Sequence, residues 1–253
     1  MVAAELRPAV TSLAREAGRA IMTYYDGAAE TGVREKDDRS PVTLADEVAH
    51  AILLEGLGRL DPATPAVSEE AAAASFETRR GWRRFWLVDP LDGTKEFIKR
   101  RAEFTVNVAL IEDGEPVLGV VLAPALDLLY WAVKRGGAWR EEQAGPAQRI
   151  FSRAPAPGTP LKVVESLSHP SPELEEYLKT IPVARRVQAG SSLKFCWVAE
   201  GRADIYPRLG PTMEWDVAAG DCVYRQSGQD GERPSPLTYN KPDLRNSSFV
   251  IGL

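Results

Sequence analysis

The stretch Trp86-Leu-Val-Asp89-Pro-Leu-Asp92-Gly-Thr94 constrains this chain more than any other. Residues 85–89 are a short apolar run ending at Asp-Pro, which reads as a buried strand running into a turn. Such a strand delivers Asp89 to its carboxyl end. Pro90 and Gly93 then bend the chain so that Asp92 turns back toward Asp89. Two carboxylates and exposed backbone carbonyls converge, an oxygen-rich environment of the kind Mg²⁺ prefers. Beyond the bend, the N–H groups of Gly93 and Thr94 can point outward together as a small anion nest suited to a phosphate. Read alone, the same stretch is equally a polar turn that caps a strand.

The 253 residues suffice for one large domain or two modest ones sharing a core. Leu6, Val10, Leu13, Ala17 and Ile21 recur at helical spacing, which predicts an amphipathic helix over residues 3–25. A second helix is expected from Thr43, after Pro41, with Leu44, Val48, Ile52 and Leu60 on its apolar side and Asp46 in its first turn. Residues 71–81 read as a helix or a surface loop. Residues 104–111, 117–122 and 128–133, separated by Asp113-Gly114 and Pro124 and followed by Gly136-Gly137, read as an antiparallel meander. Residues 141–160 are rich in Ala, Pro and Gln and mark a domain boundary or a long connection. Beyond them, strand-like segments (161–165, 203–206, 249–251) alternate with helix-like ones (172–180, 192–200, 215–225), which indicates a layered α/β half.

Other acids stand at comparable positions. Glu69-Glu70 follows Val67-Ser68 and offers a third carboxylate, or merely an acidic helix start. Asp216 opens a helix whose small residues Ala218, Ala219 and Gly220 permit close packing; alone it reads as a helix cap. Asp46 alone reads as a first-turn charge favoured by the helix dipole. Two carboxylates ~4 Å apart repel by roughly 4 kcal/mol at an effective dielectric of about 20. Four facing one cavity require cations or shifted pKa values.

Bulk properties narrow the partners. A net charge of −5 disfavours sequence-independent nucleic-acid binding. No apolar run is long enough to span a bilayer, and residues 1–10 lack a signal core. Cys196 and Cys222 suit a reducing compartment as buried thiols, and two histidines (His50, His169) without a close cysteine pair argue against structural zinc. A cytoplasmic protein is expected, or one loosely peripheral to the inner membrane.

Three motifs in order carry a resemblance: Glu69-Glu70, the Asp89-Pro-Leu-Asp-Gly-Thr94 turn, and Trp215-Asp-Val-Ala-Ala-Gly220. In these the chain resembles the inositol-monophosphatase superfamily. Ser40-Pro-Val-Thr-Leu-Ala-Asp46, the Lys95-Glu-Phe-Ile98 extension, Phe104-Thr-Val-Asn107, Gly190-Ser-Ser-Leu-Lys-Phe195 and Tyr206-Pro-Arg208 make it similar to the bacterial branch of 3′(2′),5′-bisphosphate nucleotidases. The resemblance extends to the Tyr239-Asn-Lys-Pro tail. It implies an α/β protein built as a layered αβαβα sandwich. An α+β domain (1–140) would carry most metal ligands, and an α/β domain (141–253) Asp216 and the specificity residues. Glu69, Asp89 and the Leu91 carbonyl would hold one Mg²⁺, and Asp89, Asp92 and Asp216 a second. Glu69 would share a third, looser ion. Thr94 and Asp46 would orient and deprotonate the attacking water, and Gly93 and Thr94 amides would hold the scissile phosphate. Ser191, Lys194 and Arg208 would bind a distal 5′-phosphate; Lys194 and Arg208 also read as a solvated helix charge and a strand-end charge. His169 reads as a loop residue or a nucleotide contact, and Phe195 and Trp197 as core rather than an adenine platform.

The implied activity is hydrolysis of adenosine 3′,5′-bisphosphate to AMP and phosphate, with 3′-phosphoadenylyl sulfate as a further substrate, a link to sulfate assimilation, and sensitivity to Li⁺. An inositol or sugar phosphatase, or a non-catalytic nucleotide-binding protein, are the alternatives. The partner is a small-molecule nucleotide, and the chain a monomer or homodimer. Two features depart from the pattern: the bulky continuation Asp221-Cys-Val-Tyr-Arg-Gln226 after Gly220, and residues 229–236 beyond it, which put packing there and the outer wall of the site in question.

Overall fold

The computed structural model describes residues 1–27, 31–35, 41–143, 145–167 and 171–252. Its first half opens with α1 (Ala3–Tyr25), a short antiparallel pair β1 (Arg34–Glu35) and β2 (Pro41–Val42), and α2 (Leu44–Leu60). Then come β3 (Ala66–Ser68), α3 (Phe76–Arg79), β4 (Arg84–Asp92), α4 (Thr94–Ile98), β5 (Thr105–Glu112), β6 (Glu115–Ala123), β7 (Leu128–Val133), β8 (Gly137–Glu142) and β9 (Gln148–Ile150). Strands β3 to β9 form one seven-stranded sheet in chain order. Only β3 and β4 run parallel; every other pairing is antiparallel, including the expected meander. The sheet runs past residue 140 through β8 and β9.

Helix α1 buries Leu6, Val10, Ala14, Ala17 and Ile21, close to expectation. In α2 the apolar side is corrected. Leu44, Val48, Ile52 and Leu60 are only partly buried, and the core face is Ala45, Ala49, Leu53 and Leu57. Alanines at that face let α2 lie close against α1 and β4, where a longer residue would hold the layers apart. Gly56 has the same role: a Cβ there would stand 2.2 Å from the Leu13 side chain. The segment 71–81 resolves into a loop and α3, which Ser75 caps by accepting from the Thr78 amide at 3.3 Å.

The second half comprises β10 (Leu161–Ser166), α5 (Pro172–Leu178), β11 (Val183–Ala189), α6 (Leu193–Ala199), β12 (Tyr206–Arg208), β13 (Thr212–Met213), α7 (Glu214–Arg225), β14 (Arg245–Asn246) and β15 (Phe249–Ile251). Strand β10 pairs in parallel with β11 and, through a single Val163–Ile205 bridge, meets the chain entering β12. Strand β12 pairs antiparallel with β15, and β13 with β14. The strand expected at 203–206 therefore lies three residues later. β11 was not anticipated, because Val183-Ala-Arg-Arg-Val-Gln-Ala189 is an exposed edge with no apolar alternation.

Five layers result. One core joins α1 and α2 to one sheet face through Trp86, Val88, Val106, Val108 and Leu110. A second joins the opposite face (Phe85, Leu87, Ala109, Ile111, Tyr130) to α6, α7 and β12/β15. A third packs α5 on β10 through Leu174, Leu178, Leu161 and Val163. This is the layered αβαβα arrangement. Close approach of α7 needs glycine on both sides. A Cβ at Gly119 of β6 would lie 2.5 Å from the Ala219 carbonyl oxygen, and one at Gly220 would lie 2.8 Å from Phe195 Cβ. The bulkier continuation of α7 is itself core: Cys222, Val223 and Tyr224 are fully buried, and Cys196 and Cys222 are free buried thiols. Residues 229–236 hold no regular element.

Candidate active site

Strand β4 pairs residue for residue with β5 as far as Asp89 opposite Asn107, and pairing resumes at Asp92 opposite Thr105. Pro90 and Leu91 are thereby bulged out, as expected where proline removes a ladder donor. The Leu91 amide folds back to donate to Asp89 Oδ1 at 3.1 Å. Gly93 adopts φ +90, a left-handed conformation that glycine permits at low cost, and the chain enters α4 at Thr94. Glu69 prolongs the parallel β3–β4 pairing, its amide donating to the Val88 carbonyl at 3.1 Å, which sets it beside Asp89. Asp216 arrives from the other half. It is the third residue of α7, and its Oδ2 accepts from the Met213 amide at 2.8 Å. Carboxylate oxygens of Glu69, Asp89 and Asp216 lie within 4.8 Å of one another.

Charge at this point is unbalanced. Burial pushes the Asp89 carboxyl well above the usual carboxylate range, and Glu69, Asp92, Asp216 and Asp46 each push it further. Asp216 is raised by burial and then by Asp92 and Glu69, while the Met213 amide and Arg208 oppose. All the donors are oxygens, and the cluster is short of positive charge. The residues therefore fit a hard divalent cation.

Asp46 lies behind this cluster. It is buried, and its Oδ2 accepts from the amide (2.8 Å) and hydroxyl (2.6 Å) of Thr43, the N-cap of α2. Its Oδ1 receives the Thr94 hydroxyl at 3.4 Å, and the same hydroxyl lies 3.3 Å from the Leu91 carbonyl. The first-turn charge and the contact with Thr94 thus coexist in one side chain.

A cavity of about 290 Å³ opens over the carboxylates, its walls drawn from both halves. Ten of the residues singled out above line it: Glu69, Asp89, Leu91, Asp92, Gly93, Thr94, Ser191, Lys194, Arg208 and Asp216. Asp46 alone of the set does not, reaching the cavity only through Thr94. Residues 229–236 are absent from the lining. His169 lies outside the described residues. Lys194 is not a solvated helix charge: it is 7% exposed, with Nζ 2.5 Å from the Ser191 carbonyl and 5.6 Å from the Tyr206 ring centre. Burial lowers its pKa to about 8, against the pull of Asp92. Arg208 ends β12 with Nη2 donating to the Pro211 carbonyl at 3.1 Å. Phe195 and Trp197 belong to the core, though Phe195 also borders the cavity.

Some contributors carried no sequence signal of their own. Ser192 sits inside the Gly190-Ser-Ser motif, yet its part is tertiary: its hydroxyl donates to the Asp216 carbonyl at 2.7 Å and approaches Asp92 Oδ2 at 3.5 Å. Tyr206, Thr212 and Lys95 also line the cavity. Glu214, fully buried at the start of α7, accepts from the Asn240 and Lys241 amides at 2.8 Å each and pairs with the Lys241 ammonium at 2.8 Å. Arg79, also buried, donates to Asn240 Oδ1 at 2.9 Å and the Pro242 carbonyl at 3.0 Å. The tail motif at 239–242 is thus a clamp between the first turn of α7 and the segment that follows Glu69.

A family model described as the inositol monophosphatase family matches residues 3–248. A Salmonella typhimurium protein named 3′(2′),5′-bisphosphate nucleotidase CysQ is 54% identical over 219 residues, covering 87% of each chain. One of the same name from Escherichia coli strain K12 is 52% identical over 247 residues, covering 96% of this chain and 98% of its own. Among solved structures, CysQ from Bacteroides thetaiotaomicron, titled a bacterial member of the inositol monophosphatase family, superposes with a TM-score of 0.80 at 37% identity. That match covers 96% of this chain and 95% of the other.

Proposed function

The chain belongs to the inositol monophosphatase family, and within it we propose that it is a Mg²⁺-dependent 3′(2′),5′-bisphosphate nucleotidase. It would hydrolyse adenosine 3′,5′-bisphosphate to AMP and phosphate, and act on 3′-phosphoadenylyl sulfate as well. The observation that carries this reading is one cavity lined by both kinds of charge, the carboxylates Glu69, Asp89 and Asp216 and the cations Lys194 and Arg208. The names and high identity of the relatives support the same substrate. An inositol or sugar monophosphate phosphatase shares the carboxylate cluster but has no second phosphate for Lys194 and Arg208 to bind.

In this reading Glu69, Asp89 and the Leu91 carbonyl would hold one Mg²⁺, Asp89, Asp92 and Asp216 would hold a second, and Glu69 would share a third, looser ion. When bound, the ions supply a more acidic water and positive charge for the departing oxygen. The protein's own part is placement. Thr94, its hydroxyl tethered between Asp46 and the Leu91 carbonyl, orients the water for in-line attack and passes its proton to Asp46. Contacts of 3.3–3.4 Å are ordinary for a catalytic pair before substrate tightens it. The Gly93 and Thr94 amides face the scissile phosphate. The Ser191 amide, Lys194 and Arg208 would hold the distal one, with Lys194 as a point charge and Arg208 as a fork.

No helix among the described residues is long and apolar enough to cross a membrane. A phosphate-release panel with Mg²⁺ and with chelator tests the reading. Adenosine 3′,5′-bisphosphate should be cleaved in preference to inositol 1-phosphate and fructose 1,6-bisphosphate, and millimolar Li⁺ should inhibit. Equal rates on all three substrates contradict the nucleotide assignment, and release unaffected by chelator contradicts the metal assignment.

A further inference from the structure

Behind the cavity wall runs a line of buried polar groups that none of the roles above uses. Thr105 and Asn107 share one face of β5 and are 0% and 1% exposed. Thr105 Oγ1 lies 3.0 Å from Asn107 Oδ1 and touches Ser191 Oγ across the junction of the two halves. Ser191 Oγ in turn donates to Asp92 Oδ2 at 2.6 Å.

Counting protons gives this line a direction. An ionised carboxylate only accepts, so the single Ser191 hydroxyl proton goes to Asp92. Ser191 Oγ is then free to accept the single proton of Thr105. Thr105 Oγ1 is left as an acceptor, and the group facing it from Asn107 must donate. Asn107 Nδ2 is buried with no partner among the described residues, while Oδ1 faces the hydroxyl. A half-turn of the amide exchanges the two atoms, puts an N–H on Thr105, and leaves a carbonyl as the orphan instead. Buried orphan carbonyls are tolerated more readily than buried orphan N–H groups.

We propose that Asn107 and Thr105 are positioning residues for Asp92, through a one-way relay from the Asn107 N–H to the Thr105 hydroxyl, the Ser191 hydroxyl and the Asp92 carboxylate. The relay saturates Asp92 Oδ2 and leaves its other oxygen for a cation, so the inference rests on the reading of Asp92 as a metal ligand. It also pins Ser191, a non-glycine residue at φ +55, whose carbonyl receives the Lys194 ammonium at 2.5 Å. Asp92 and Lys194 are thus joined through one residue, Ser191, by its side chain and its carbonyl respectively.

Binding of Mn²⁺ to the metal-free protein, followed by loss of the free-ion paramagnetic resonance signal, tests this without turnover. Thr105→Val keeps the side chain's size and removes its proton; Thr105→Ser keeps the proton. We expect Thr105→Val to weaken Mn²⁺ binding about tenfold, the scale of losing an outer-sphere partner, and Thr105→Ser to restore it. Asn107→Leu, which keeps the branching but cannot donate, should weaken binding likewise and carries the test if Thr105→Val does not fold. Wild-type affinity in these variants, failure of Thr105→Ser to restore binding, or a wild-type protein that binds no Mn²⁺ overturns the relay. If the wild type binds Mn²⁺ yet releases no phosphate from adenosine 3′,5′-bisphosphate, the nucleotidase reading falls while the binding comparison still decides the relay.

Discussion

Helix α7 carries two aspartates with opposite fates, Asp221 fully buried and Asp216 at the cavity wall. Protein groups balance the Asp221 charge: Arg225 Nε and the Tyr239 hydroxyl each donate to its Oδ2 at 2.8 Å, while Oδ1 has no hydrogen-bond partner among the described residues. Burial raises its pKa, but Arg225, Ser235 and Tyr239 all pull back. Arg225 also donates to the Leu237 carbonyl at 2.7 Å, so this pair anchors the tail. Asp216, at the other end of the same helix, has Asp92 and Glu69 as its main charged neighbours, and both raise its pKa further. Residue type and helix are shared; the sign of the surrounding charge differs. The Asp221 charge is balanced by an arginine of the protein itself, whereas the Asp216 cluster fits a cation from outside.

The largest test of that contrast is a pair of substitutions. Asp89→Asn should lower phosphate release by about 10³-fold or more, several kcal/mol of transition-state stabilisation. The same change removes one of the mutually repelling charges, so the metal-free variant should melt higher than metal-free wild type. Arg225→Met should do the reverse, costing ~3–5 kcal/mol of stability by leaving Asp221 as an unpaired buried charge, with kcat retained by the folded fraction. Denaturant unfolding and phosphate release read both. An Asp89→Asn protein less stable than wild type without metal would break the contrast.

Next in size is metal linkage. At Mg²⁺ a hundred times its dissociation constant, wild type should gain about 2.7 kcal/mol, and Asp89→Asn almost none. Calorimetric melting with Mg²⁺ and with chelator measures it, and equal gains in both proteins would place the ion elsewhere.

A smaller effect belongs to Lys194. Burial holds the Lys194 pKa at about 8, so its charged form prevails only below that pH. KM for adenosine 3′,5′-bisphosphate should rise as pH passes upward through about 8, with KM for inositol 1-phosphate unchanged. Between about 8 and the ordinary value of 10.5 the folded protein binds fewer protons at Lys194 than the unfolded chain. The lysine's contribution to stability therefore rises with pH across that window. Lys194→Ala should abolish the substrate-specific change in KM; a wild-type profile in that variant would remove Lys194 from the clamp.

How far the site could be read in advance followed physical reach. The Asp89 turn was legible because proline and glycine act locally on the backbone, and a strand ending in Asp-Pro has few other solutions. The gathering of Glu69 and Asp216 beside it was suggested by their motifs, but the approach itself depends on β3 running parallel to β4 and on glycines at 119 and 220 that admit α7. The larger residues Leu44, Val48 and Ile52 point to one side of α2 by sequence, but the buried side is that of Ala45 and Ala49. In a helix wedged between layers, closeness of approach decides instead. Thr105, Asn107, Ser192 and Glu214 were invisible as contributors. Thr105, Ser192 and Glu214 each act on a residue far away in the chain, Asn107 acts through Thr105 two positions off, and short polar side chains within apolar runs leave no periodic trace. The edge strand β11 escaped because exposure on its outer side erased the alternation that identifies strands.

Anomalous diffraction from crystals soaked in Mn²⁺ addresses the central claim most directly. The account predicts a peak between Glu69, Asp89 and Asp216, with carboxylate oxygens from both halves of the chain at coordinating distance. Full density for these side chains with no peak among them, or a peak confined to another part of the molecule, would contradict it.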